Sequence, residues 1–216
     1  MRLTTRDRLL AIEPDCERWA ERPETATAAV LDLPGTDTYE LDLEGPDGEP
    51  PSTTFERAAD LLFAYRLFPV ERLVARLCSE SGWVEERATI VQHIFLGPLA
   101  VESGVRITEV FDEPIWSGRR VGFTYVTLRG HPERGAASYA LILNDDDRLQ
   151  LVVTANGRPA ALLARLAGPV TRLLQVRATR EALRHYRSLV RGTPAEFPLA
   201  VGDDGWTAPE AEPPQG

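Results

Sequence analysis

Between Gly82 and Pro159 the chain reads as strand after strand, and that run limits the fold more than any other feature. ATIVQHIFL (88–96), GVRITEVFD (104–112), RRVGFTYVTL (119–128), ASYALILND (137–145) and LQLVVTAN (149–156) are rich in Val, Ile, Thr, Tyr and Phe. Such residues suit a pleated, half-buried surface, and Gly, Pro or Asp clusters separate each segment from the next. The connections are short, DDD at 145–147 among them, so neighbours should pair antiparallel as a meander.

The flanks supply the rest of the architecture. TYELDLEG (38–45) alternates Tyr39, Leu41 and Leu43 against acids, the pattern of a half-buried strand. GPDGEPPS then breaks the chain, and Ser52 or Thr53, with Glu56 at capping-box distance, opens a helix. Phe55, Ala59, Leu62, Phe63 and Leu67 recur along it at steps of three and four; Pro69 ends or kinks it, and VERLVARLC resumes it to Cys78. Pro159 suits a helix first turn, ALLARLA follows, and after a break at Gly168-Pro169 a long helix runs to Arg191. A single antiparallel sheet must bury one face, and the terminal helix is its natural cover. The order predicts an α+β helix grip, an antiparallel sheet wrapped around a long C-terminal helix, with a cavity between them. Residues 1–36 read as an N-terminal extension, 37–192 as the helix-grip domain and 193–216 as a disordered acidic, Pro-rich tail.

Charge and cysteines narrow the function classes. No apolar run approaches the roughly 20 residues that span a bilayer, and MRLTTRDRLLAIEPD lacks the form of a secretory signal. Cys16 and Cys78 lie far apart without metal-ligand spacing. They read as reduced, unpaired thiols of a cytoplasmic protein, with Cys78 buried on a helix. All 24 basic residues are arginine, as in a GC-rich bacterial genome, and a net charge of −9 argues against nucleic acid as a partner. The charge is uneven: residues 1–60 hold 15 acids and 6 arginines, whereas residues 149–192 hold 1 acid and 8 arginines. On the last helix Arg177, Arg180, Arg184, Arg187 and Arg191 form one stripe, opposite Leu174, Ala178, Ala182, Tyr186 and Leu189. The stripe reads as a solvated face or as a partner for the acidic N-terminal region.

The loop GHPERG (130–135) carries more chemistry than a hairpin turn needs. His131 is a candidate general acid or base, Glu133 a residue to orient it, and Arg134 a planar fork for a carboxylate or phosphate. The structural alternative is a rigid turn in which Gly130 and Gly135 supply special backbone angles and Pro132 stiffens the chain. Arg158, just before the covering helix, belongs at the same end of the sheet as His131, with the DDD turn at the other end. Tyr125 and Tyr139 fall on adjacent strands and line a pocket or fill the core. His93 shares a face with Val91 and Phe95 and reads as a satisfied core histidine; His185 reads as surface or half-buried packing. The scattered histidines make no metal site, and no cofactor or nucleotide motif is present.

GFTYVTLRGHPERG (122–135) resembles the signature of an uncharacterised family called domain of unknown function nineteen-ninety, whose members carry GFAYGTLPGHPERGEE. RPAALLARLAGP (158–169), Gln175, Ala178-Thr179-Arg180, RITEVFDE (106–113) and, more weakly, LLFAYRLFP (61–69) are also similar to it, so the likeness spans about 53–190. The family's Glu-Glu is Ala136-Ala137 here, and its Ser-Arg-Pro is Gly157-Arg158-Pro159. The resemblance implies an SRPBCC-like (START-like) helix-grip fold and no established activity. The expected function is binding of a small apolar ligand, lipids included, between sheet and C-terminal helix. His131, Arg134, Arg158, Tyr125 and Tyr139 are its expected contacts, and no cofactor is called for. One alternative is a cofactor-independent cyclase, dehydratase or isomerase using His131 and Glu133. Another is an interaction module working through the arginine-rich helix. The oligomeric state is left open.

Overall fold

The computed structural model describes residues 2–97, 99–160 and 168–192. Its strands are β1 (Arg2–Thr5), β2 (Asp37–Leu43), β3 (Leu73–Cys78), β4 (Thr89–Leu96), β5 (Leu99–Ile115), β6 (Gly118–Thr127), β7 (Glu133–Asn144) and β8 (Leu149–Pro159). Its helices are α1 (Arg6–Leu10), α2 (Cys16–Ala20), α3 (Pro51–Phe63) and α4 (Gly168–Arg191), with a short 3₁₀ turn at Ala28–Asp32. The sheet runs β2-β8-β7-β6-β5-β4-β3, with β1 on β5, and every pairing is antiparallel. The five strands of the meander are β4 to β8, and the strand read at 38–45 is β2. The order is that of a helix grip.

Alternation assigns each side chain a face. The inner face carries Val121, Phe123, Ala137, Tyr139, Leu141, Leu151 and Val153, which form one core with Phe55, Ala58 and Leu62 of α3 and Leu183, Tyr186 and Val190 of α4. The Tyr186 hydroxyl donates to the Ala58 carbonyl at 2.5 Å, and Arg57 Nε to the Val190 carbonyl at 2.9 Å, so α3 and α4 cover the sheet together. Burying a Leu or Val side chain in such a core contributes about 1.5–3 kcal/mol.

The buried stripe of α4 is Ala182, Leu183, Tyr186 and Val190, while Ala178 is exposed. The helix is therefore rotated from the face read in sequence: Leu183 and Val190 point inward and Leu189 is half-buried. Arg177, Arg180, Arg184 and Arg191 are exposed, and Arg191 pairs with Glu44 of the acidic N-terminal region.

The outer face is covered by the segment that precedes β2. Leu9 of α1 packs with Phe95 and Ala100, and Trp19 of α2 with Val91 and Leu128. Gly104 makes the second contact possible, because a Cβ there would lie 2.5 Å from the indole ring. The tail expected at 193–216 lies outside the described residues, as does the helical stretch expected at 161–167.

Three sequence expectations are corrected. Cys16 and Cys78 are not free thiols but form a disulfide with Cα atoms 5.7 Å apart, across a separation of 62 residues. This removes the premise on which a reducing compartment was expected. Cys78 ends an edge strand rather than a helix: Leu73 faces Ile94 and Cys78 faces Thr89 across β3 and β4. A short apolar run suits either element. Here the helix has already stopped at Phe63, followed by Tyr65 in the left-handed region at φ 56°. Neither Ser52 nor Thr53 caps α3. Pro50 and Pro51 open it without a side-chain cap, which proline at the first turn tolerates because it has no N–H to satisfy. Thr54 and Arg57 instead clasp Glu49 just upstream.

Candidate functional site

The GHPERG loop closes one end of the sheet. Gly130 takes φ 106°, a left-handed backbone that suits glycine. The His131 N–H donates to the Leu128 carbonyl at 3.0 Å, and the Ala160 N–H donates to the Pro132 carbonyl at 2.9 Å, which ties the loop to the end of β8. Gly135 does not need an unusual angle; it is glycine because a Cβ would collide with the Asn156 carbonyl on the neighbouring strand. Gly157 plays a related part, since a Cβ there would lie 2.9 Å from Glu133 Oε2. The missing side chain leaves room for that carboxylate on the inner side of β7.

His131 is held by a local contact. The main-chain N–H of Glu133 lies 3.0 Å from His131 Nδ1. The Glu133 carbonyl oxygen lies 3.2 Å from the same nitrogen, so Nδ1 is engaged by the Glu133 main chain in either tautomer. Burial pushes the imidazole pKa down to about 4, against a smaller upward pull from the Glu133 backbone. The ring is therefore neutral at pH 7. With Nδ1 engaged by the Glu133 main chain, Nε2 is the ring nitrogen left for other partners.

A cavity of about 60 Å³ lies against this ring, lined by Tyr125, Thr127, His131, Glu133, Ala137 and Asn156 among others. It has room for about two waters at roughly 30 Å³ each, or for the end of a ligand. The phenols continue the polar surface inward. Tyr125 and Tyr139 bring their hydroxyls to 3.5 Å, with ring centres 5.8 Å apart. Gln92 Nε2 donates to the Tyr65 hydroxyl at 2.7 Å, and Ser103 Oγ donates to Gln92 Oε1 at 3.2 Å. Phe123 stacks between, 5.3 Å from Tyr139 and 6.1 Å from Tyr65. Burial raises the pKa of Tyr65, Tyr125 and Tyr139, so all three keep their protons.

Of the residues singled out in the sequence, His131, Glu133 and Tyr125 line this space and Tyr139 adjoins it, whereas Tyr65, Gln92 and Ser103 were not singled out. A signal existed for Gln92, which interrupts the inward apolar series Ile90, Gln92, Ile94. Tyr65 arrives through the turn after α3, which no period reveals.

The two arginines stand elsewhere. Arg134 and Arg158 oppose each other across β7 and β8, at the His131 end and far from the 145–147 turn. Alternation turns both to the outer face, and both are exposed. They therefore do not line the space beside Tyr125 and Tyr139, contrary to the expectation of ligand contact there.

His93 belongs to a separate buried cluster on the outer face. Its Nε2 lies 3.5 Å from Glu102 Oε2, with the two side chains 0% and 2% exposed. Glu102 also accepts from Trp19 Nε1 at 3.1 Å and pairs with Arg18. Burial alone would push the Glu102 carboxyl up; hydrogen bonds from His93 and Trp19 and the Arg18 charge outweigh it and hold the pKa at about 2. Among the described residues no group of His, Cys, Asp and Glu is placed to hold a metal ion, and no helix is long and apolar enough to cross a membrane.

Residues 27–185 match the family described as Domain of unknown function (DUF1990). The chain belongs to that family. The matched span contains the whole GHPERG loop and the tyrosines beneath it. Solved structures of similar fold include a hypothetical protein from Helicobacter pylori, with a TM-score of 0.52 at 10% identity, covering 78% of this chain and 97% of that one. A protein from Thermus thermophilus superposes with a TM-score of 0.46 at 12% identity over 72% of this chain and 96% of its own. Norcoclaurine synthase from Thalictrum flavum gives 0.44 at 10% identity over 72% and 92%. At such identities the likeness concerns the fold alone. No curated protein matches the chain.

Proposed function

We propose that this protein binds a small, largely apolar molecule between the sheet and its covering helices, and holds the molecule's polar end at the GHPERG loop. The observation that carries this reading is the small cavity lined by the neutral His131 ring and by Tyr125, whose hydroxyl lies 3.5 Å from that of the buried Tyr139, in an otherwise apolar interior. Buried polar groups cost free energy unless they are paired. The 3.5 Å Tyr125–Tyr139 contact lies at the outer limit of a hydrogen bond, a weak pairing that a ligand oxygen would replace at little cost.

The matching ligand is uncharged at that end and presents an oxygen acceptor: a carbonyl, an ether or a hydroxyl. An anion is disfavoured, because Glu133 lines the cavity while Arg134 and Arg158 face outward. The apolar remainder of the ligand lies against Ala137 and Ala155, which line the same cavity. Lipids fall within this class. The Cys16–Cys78 bridge suits an oxidising compartment better than a reducing cytoplasm.

Native mass spectrometry of protein purified from its own source tests for a co-purifying small molecule. Titration with the uncharged apolar dye N-phenyl-1-naphthylamine tests the site directly. His131→Ala and Tyr125→Phe should each weaken dye displacement by the co-purified molecule by about tenfold, the worth of one buried hydrogen bond. Unchanged displacement in both folded variants would remove the site from this end of the sheet.

A further inference from the structure

Trp116, at the tip of the β5–β6 hairpin, is 97% exposed, whereas Trp19 is 1% exposed. A fully exposed indole at a hairpin tip gains nothing from the fold, and tryptophan is among the residues most enriched at binding hot spots. Its surroundings give it a partner chemistry. The Asp145 N–H donates to the Ser117 carbonyl at 2.8 Å, so the β7–β8 turn lies against the hairpin tip. That turn is Asp145, Asp146 and Asp147, all exposed.

The arginines nearest to this end are already engaged. Arg119 pairs with Asp112 at 2.9 Å and Glu56 at 2.8 Å, and Arg120 with Glu113 at 2.5 Å. Arg148 pairs with Asp42 at 3.1 Å, and Arg191 pairs with Glu44. Among the described residues no arginine or histidine pairs with Asp145, Asp146 or Asp147; Asp146 accepts only the Arg148 main-chain N–H, at 3.3 Å. An exposed indole thus stands beside three uncompensated carboxylates.

We propose that Trp116 and the 145–147 turn form a docking patch for an arginine- or lysine-rich segment of a partner protein. A guanidinium stacks on the indole face while carboxylates accept its N–H groups, so one cation is satisfied twice. An anionic lipid surface is disfavoured by the three carboxylates. A symmetric pairing of two copies is disfavoured because it would set the acidic turn against itself. The patch lies at the opposite end of the sheet from His131, so both sites can be filled together.

The test uses the full chain with a synthetic ten-residue arginine peptide, followed by calorimetry at low and high salt. Trp116→Ala should weaken binding about tenfold, as loss of a hot-spot aromatic does. The triple change Asp145→Asn, Asp146→Asn, Asp147→Asn should weaken it similarly and flatten the salt dependence. Glu40→Gln, Glu80→Gln, Glu86→Gln together make the same change of charge at exposed sites elsewhere and should leave binding within about twofold. Thermal melts establish that each variant is folded, and NMR of the unsubstituted protein should show the Trp116 indole N–H shifting on titration. Equal loss in the control triple, or no loss in Trp116→Ala, overturns the proposal. So does Trp116-dependent binding to phosphatidylserine vesicles with none to the peptide, or Trp116-dependent self-association that the peptide does not displace.

Discussion

The main-chain N–H of Glu133 meets His131 Nδ1 at 3.0 Å, and this contact sets the chemistry of the loop. Together with the Glu133 carbonyl, 3.2 Å from the same nitrogen, it ties Nδ1 to the main chain, while burial depresses the pKa from 6.5 to about 4. The unfolded chain then binds the proton more tightly than the native state does, so the contribution to stability is full above about pH 6.5 and lost as pH falls toward 4. An NMR titration should place the His131 midpoint near 4. A midpoint near 6.5 would mean that the ring is solvated and the loop open.

Glu102 provides the second acid-sensitive element. Its folded pKa of about 2 lies below the ordinary 4.5, so its contribution is present above pH 4.5 and lost as pH falls through 2. Glu102→Ala leaves His93 and the Trp19 indole N–H buried without their acceptor and should cost about 3 kcal/mol in urea unfolding at pH 7. A cost below about 1 kcal/mol would show that water reaches the cluster.

The disulfide is open to direct chemistry. Thiol titration of the denatured, unreduced protein should find no free cysteine. Cys16→Ser with Cys78→Ser should lower stability by roughly 4 kcal/mol, the chain-entropy value for a loop of this size. Two titratable thiols would instead show that α2 is held only by its packing.

Arg134 and Arg158 are like charges directly opposed on a ladder. Arg158→Glu converts the clash into a cross-strand ion pair and should raise stability by about 0.5–1 kcal/mol, less in high salt. A loss of stability would reveal an acidic neighbour of Arg158.

The meander was legible because its signal is local. Val121, Phe123, Thr124, Tyr125, Val126 and Thr127 are all β-branched or aromatic, and that composition identifies a strand wherever its partner lies. Short connections then leave antiparallel pairing as the simple solution, and a one-sided sheet requires the cover that α4 provides. His131 and Arg158 share an end for the same reason, since strand direction follows from counting turns. Much of the candidate site came with these inferences, because His131 and Glu133 sit in a loop between two recognisable strands.

What the sequence left undecided depends on contacts between distant segments. Cys16 and Cys78 become neighbours only when α2 lies on the outer face beside the edge strand β3, and no spacing encodes that meeting. Leu73 to Cys78 suits a helix or a strand, and pairing with β4 decides between them, because the edge hydrogen bonds of β4 need a partner. Tyr65 reaches the phenol cluster through a left-handed turn after α3, and Glu102 is a buried anion only because Trp19 and Arg18 are folded over it. Local periodicity sets which way a side chain points within its own element; what it meets there is set by the packing of elements whose sequences carry no trace of one another.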